Sequence, residues 1–130
     1  RPPVRGDGCS VIDTRDAVRK RNPPPAVYQA VRKQLGVPQA RTVALEDTSN
    51  GLTAATRAGL ATVITPHRLT RNCDFPQAAL VVDSAGEPNA PFTVAAGDAK
   101  GHQWLTPALF EALLPTTELD NGQNRILRSA

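Results

Sequence analysis

Hydrophobic positions along this chain change their period several times, and each change marks an element. From Pro24 onward, Val27, Tyr28, Val31 and Leu35 recur at three and four residues, which predicts a helix with one apolar face and Arg32 and Lys33 outside it. Prolines at its start suit a first helical turn, and Gly36 just past Leu35 suits its stop. Thr42-Val43-Ala44-Leu45 follows as a short uncharged run, the pattern of a strand buried on both faces. Thr48-Ser49-Asn50-Gly51 is a loop of helix-capping residues, and Leu52 to Ala58 reads as a second helix ending at Gly59. Ala61 to Ile64 and Leu80 to Val82 are a second and a third buried strand.

Strands alternating with helices of this length predict right-handed βαβ units and a parallel sheet, an α/β fold. The first helix is expected to lay Val27, Val31 and Leu35 against that unit. Upstream, Val11-Ile12 is a short apolar step that suits the end of a strand, followed by a polar loop from Asp13 to Asn22. Beyond Ala85 the pattern weakens. Thr106-Pro107 with Leu109, Phe110, Leu113 and Leu114 predicts one more amphipathic helix, and residues 116–130 read as a frayed tail.

Composition narrows the function classes. A chain of 130 residues is one domain's worth, long enough for a modest core. Its net charge of +3 owes much to Arg15, Arg19, Lys20 and Arg21, a cluster able to meet phosphate or simply to be solvated. No aromatic residue interleaves with it, so base stacking has no platform and nucleic acid is not an expected partner. Cys9 and Cys73 fit no metal spacing and suit free thiols in a reducing compartment, with one disulfide between them as the alternative. No apolar run approaches the length that spans a bilayer, and no signal-peptide core is seen. The expectation is a cytoplasmic protein with no membrane partner.

The candidate chemistry lies at Glu46-Asp47, directly after the first buried strand. Ligands of open parallel sheets bind outside the carboxyl ends of strands. Adjacent carboxylates there are hard oxygen donors of the kind Mg²⁺ prefers. They are equally what the start of a helix favours as a capping cluster. Spacing leaves both readings open. His67 and His102 have no ligand-spaced partner and read as surface histidines, and Trp104 as packing for the final helix rather than a sugar platform.

The stretch from Val43 to Ala55, followed by Ala58-Gly59-Leu60, resembles the fourth motif of haloacid-dehalogenase-like phosphatases: apolar strand, Glu-Asp-Ser, Asn-Gly, then a helix with Ala-Ala and a closing Ala-Gly. Asn22-Pro23-Pro24-Pro25-Ala26-Val27-Tyr28 resembles the third motif, Lys-Pro-x-Pro-Asp-x-Tyr, with Leu35-Gly36-Val37 also in place. Thr65-Pro66 through Asp74-Phe75, Ala78 to Asp83 and Gly86-Glu87-Pro88 resemble the CbbY-like subgroup, relatives of beta-phosphoglucomutase. The resemblance implies Mg²⁺ held by Glu46 and Asp47, and a phosphorylated small molecule, a sugar phosphate, as the ligand. It also assigns phosphate binding to the third-motif position, here Asn22, with Lys20 or Arg21 upstream as possible substitutes.

The departures are as informative. Asn22 stands where the family has a Lys, and an amide does not replace a point charge. Ala26 stands where the family has an Asp. The sequence contains no Asp-x-Asp after an apolar strand, so no residue is assigned as catalytic. Asp13-Thr14-Arg15-Asp16 has the wrong spacing for that motif. The fold implied is a partial Rossmann-like core of the haloacid-dehalogenase type, with parallel strands and flanking helices but without the central first-motif strand or the cap domain. Its expected organisation is a leftover segment 1–10, the C-terminal part of the core over 11–88, and an extension over 89–130 with one helix and a flexible tail. The function implied is the C-terminal portion of a sugar-phosphate phosphatase or phosphomutase, inactive alone. The alternative is a non-catalytic remnant or an α/β binding module.

Overall fold

The computed structural model describes residues 26–120 and 124–128. The expected strand at Val11-Ile12, the Arg/Lys cluster, Cys9 and the phosphate-binding candidates Lys20 and Asn22 lie outside the described residues. The order of elements is α1 (Ala26–Leu35), a 3₁₀ turn (Gln39–Arg41), β1 (Val43–Glu46), α2 (Ser49–Arg57), β2 (Ala61–Ile64), β3 (Leu80–Val82), β4 (Val94–Gly97), α3 (Pro107–Leu113), β5 (Thr116–Asp120) and β6 (Asn124–Arg128).

β1 to β4 form one sheet in that order. β1 pairs parallel with β2 from Val43↔Ala61 to Glu46↔Ile64, and β2 pairs parallel with β3. This is the expected βαβ arrangement, with α2 as the crossover element between β1 and β2. α2 starts at Ser49, earlier than the apolar pattern suggests, because the Thr48 hydroxyl accepts the Gly51 N–H and caps it. α1 and α2 each stop at a glycine in the left-handed region, Gly36 at φ 66° and Gly59 at φ 75°.

Alternation along the strands sends side chains to both faces. On one face Val63, Leu80 and Val82 pack with Phe92 and with Leu109 and Leu113 of α3. On the other, Ala44 meets Ala55, Ala58 and Leu60, while Ile64 and Val81 meet Leu52 and Phe75. The sheet is thus a layer between α2 and α3, and β2 and β3 are buried on both faces as their sequence implies.

Three features depart from the sequence reading. α1 has no buried residue: Leu35 is 43% exposed, and contact with the α2 side of the sheet comes from Tyr28, which packs on the Ala44–Ala58 cluster. β4, all of whose residues are exposed, adds antiparallel to β3 and carries the sheet beyond residue 88. Where a tail was expected, β5 and β6 pair antiparallel from Thr116↔Arg128 to Asp120↔Asn124.

Candidate functional site

The parallel strands β1 and β2 end side by side, and β1 delivers Glu46 and Asp47 to that end. Period-two alternation turns Glu46 to the α2 face, on which Ala44 also lies. There the Tyr28 hydroxyl donates a hydrogen bond to Glu46 Oε1. Glu46 Oε2 lies against Gly51, so close that a Cβ at that position would collide with the carboxylate. A side chain at position 51 would displace the Glu46 carboxylate from its place beside Tyr28. Burial raises the Glu46 pKa above its ordinary value, the charge of Asp47 adds to the rise, and the Asp47 backbone N–H partly offsets it.

Asp47 faces the other way. Its side chain is 56% exposed, and its Oδ2 lies 3.9 Å from His67 Nε2. The loop after β2 is fastened to the same point: Thr65 N–H donates to the Glu46 carbonyl at 2.9 Å, and the Thr70 hydroxyl to the Asp47 carbonyl at 2.7 Å. That loop brings His67, Arg68 and Arg71 to the rim of a cavity floored by Phe75, Val81 and Val82.

Of the sequence candidates, the structure brings Glu46 and Asp47 together at a strand end and turns one inward and one outward. The outward carboxylate, Asp47, suits Mg²⁺ in kind, since Mg²⁺ is commonly held by one or two carboxylates, substrate phosphate and water, whereas Glu46 is engaged by Tyr28 and Gly51. Among the described residues no group of three or more His, Cys, Asp or Glu is placed to hold a metal ion. His67 is the neighbour that spacing could not reveal, because it stands 20 positions further on and meets Asp47 only once β1 and β2 pair. His102 is remote in kind, its Nδ1 lying 3.4 Å from the Thr106 hydroxyl that caps α3. No helix among the described residues is long and apolar enough to cross a membrane.

No family model matches the chain. Protein CbbY of Cereibacter sphaeroides is 42% identical over 77 residues, which cover 59% of this chain and 34% of that protein. A haloacid dehalogenase-like hydrolase domain-containing protein of Arabidopsis thaliana is 36% identical over 77 residues, 59% of this chain and 24% of its own length. A crystal structure of a CbbY mutant from Rhodobacter sphaeroides, in complex with xylulose-(1,5)bisphosphate, is 42% identical over 53% of this chain and 31% of its own, with a TM-score of 0.48. The chain spans about a third of the length of the CbbY proteins that it matches.

Proposed function

The chain belongs to the haloacid-dehalogenase-like superfamily, in its CbbY-like branch, and on that premise we propose that it is the part of a Mg²⁺-dependent sugar-phosphate phosphatase or phosphomutase that carries the second acidic loop of the metal site. The observation that carries the reading is the division of labour at the end of β1: Glu46 tethered inward by Tyr28, Asp47 outward and accessible. In this reading Asp47 is the metal ligand that the chain supplies, and Glu46, beside it, fixes the loop from which Asp47 projects. When bound, Mg²⁺ offsets the charge that develops on a phosphoryl group in transfer. His67 orients the Asp47 carboxylate from the loop after β2. Phosphate binding from the third-motif position, Asn22 or Lys20, completes the proposal.

The 130 residues contain no Asp-x-Asp, and Asn22 stands in place of the family's Lys. The chain by itself is therefore expected not to turn over phosphate esters. The same two features favour the second reading, a non-catalytic remnant or α/β binding module. A cytoplasmic setting is part of the proposal, on the expectation that the two cysteines are reduced thiols.

Complementation separates the two readings. The chain is mixed with the Asp-x-Asp-bearing half of a CbbY relative, and hydrolysis of sugar phosphates and p-nitrophenyl phosphate is followed with Mg²⁺. The phosphatase reading expects no turnover from either part alone and turnover from the mixture that Asp47→Asn abolishes. A stable mixed complex that stays inactive, or activity indifferent to Asp47→Asn, would overturn it.

A further inference from the structure

Beside Asp47 the loop after β2, β3 and β4 enclose a cavity of about 680 Å³. That is the size of pockets that take small molecules. Its rim carries two guanidinium groups, Arg68 and Arg71. The ion pairs between described residues join Arg41 to Glu111, His67 to Asp47 and Lys100 to Asp98, so neither rim arginine has a carboxylate partner among them. The turn that bears them is rigidly built. The Thr70 and Arg71 N–H groups donate to the His67 carbonyl, the His67 N–H to the Thr70 hydroxyl, and the Leu69 N–H to His67 Nδ1. The Thr70 hydroxyl ties the turn to the Asp47 carbonyl. Two cations are thus presented to a concavity on a fastened loop rather than left on a free surface.

The rest of the lining says what else the occupant carries. Asp74 and Asp83 also face the cavity, and Asp83 Oδ1 is held in place by the Thr93 N–H at 2.7 Å. Carboxylates beside guanidinium groups disfavour a bare polyanion and accept hydroxyl protons. Phe75, Val81 and Val82 supply an apolar floor.

We propose that this pocket binds a small hydroxylated molecule through an anionic group, a phosphate, held by Arg68 and Arg71, with its hydroxyls toward Asp74 and Asp83. Guanidinium suits this task because its planar fork meets phosphate oxygens in pairs. As the seat of the substrate's end remote from Asp47, the pocket rests on the phosphoryl-transfer reading; as an anion pocket it stands without it.

The test is an amide NMR titration of the full 130-residue chain, in wild type and in the Arg68→Gln/Arg71→Gln and Asp98→Asn variants. Probes are glycerol 3-phosphate, inorganic phosphate and glycerol. Glycerol 3-phosphate is expected to shift amides of residues 66–75 and 81–83 saturably, more tightly than inorganic phosphate, while glycerol alone does not saturate. The double arginine variant should weaken binding about ten-fold or more, as loss of charge-assisted bonds implies. Asp98→Asn should leave it within about two-fold, since that exposed carboxylate, paired with Lys100, does not line the pocket. Both arginines are exposed, and unchanged spectra of the free variants establish that they fold. Equal affinity in the arginine variant, tighter binding of inorganic phosphate than of glycerol 3-phosphate, or shifts centred away from the loop would each overturn the proposal. Binding that passes this test while complementation stays inactive would retire the phosphatase reading and keep the pocket.

Discussion

Glu46 and Asp47 are chain neighbours with the same chemistry, and their surroundings assign them different work. Glu46 is half-buried, accepts the Tyr28 hydroxyl and holds a carboxyl whose pKa is raised by burial and by Asp47. An acid whose folded pKa is raised stabilises the fold while protonated and loses that contribution as pH rises from its ordinary value through the raised one. Glu46→Gln keeps an acceptor for Tyr28 and removes the charge. The variant is expected to match the wild type in thermal midpoint below about pH 4, where carboxyls are largely protonated, and to exceed it increasingly toward neutral pH. A variant that is less stable at neutral pH would show that the ionised carboxylate is what the site holds. At Asp47 the expected result is the opposite in kind. Asp47→Ala should leave stability nearly unchanged, because the side chain is largely exposed, and should remove whatever Mg²⁺-dependent amide shifts the β1–α2 loop shows. Shifts that survive the substitution would take Asp47 out of the metal role.

At the scale of elements, legibility in the sequence followed burial. β2 and β3 were legible because they are short uncharged runs buried on both faces, and the one polar residue in them, Thr62, is β-branched and satisfies its hydroxyl on the Leu60 carbonyl. α2 was legible from its alanines and its closing glycine, and its true start at Ser49 is set by a hydroxyl cap that hydrophobic pattern does not register. β4 was not legible, because Val94-Ala95-Ala96-Gly97 is exposed throughout and is held by backbone pairing to β3. The pair β5 and β6 has a local signal in the sequence: Asn121-Gly122, a hairpin dipeptide, stands between two runs of mixed polarity. The Asp47–His67 contact needed the β1–β2 register before it existed at all. α3 gives the sharpest element-level test. Leu109 is fully buried against Val63, Leu80 and Val82, so α3 is part of the sheet's core rather than an appendage. Leu109→Ala is expected to cost about 2–5 kcal/mol, read from urea denaturation. A loss well below about 1 kcal/mol, the scale of an exposed substitution, would mean that α3 does not dock on the sheet.

For the whole molecule, the decisive feature is the free edge of β1. Among the described residues β1 has a hydrogen-bonded neighbour on one side only, β2, whereas β2 has two. Along that edge Leu45 is 52% exposed, and with Val43 it lines a groove whose other wall is Phe110 and Leu114 of the α3 region. A strand of a parallel sheet normally has both faces covered, and an apolar edge with open backbone groups is a template for pairing with another chain. Two consequences can be measured in the 130-residue chain. Amides of β2 should exchange more slowly than those of β1, because only β2 is paired on both sides. The chain should also associate with rising concentration, and Leu45→Lys should suppress that association by placing a charge on the apolar edge without touching the buried core. If the same edge is what the complementary half recognises, Leu45→Lys should also abolish activity in the complementation assay while leaving the phosphate-pocket titration unchanged, since the groove at Leu45 and the pocket at Arg68 and Arg71 share no lining residue. Equal protection of β1 and β2, together with a concentration-independent monomer in both wild type and Leu45→Lys, would show that the β1 edge is already satisfied and that no strand is wanted beside it.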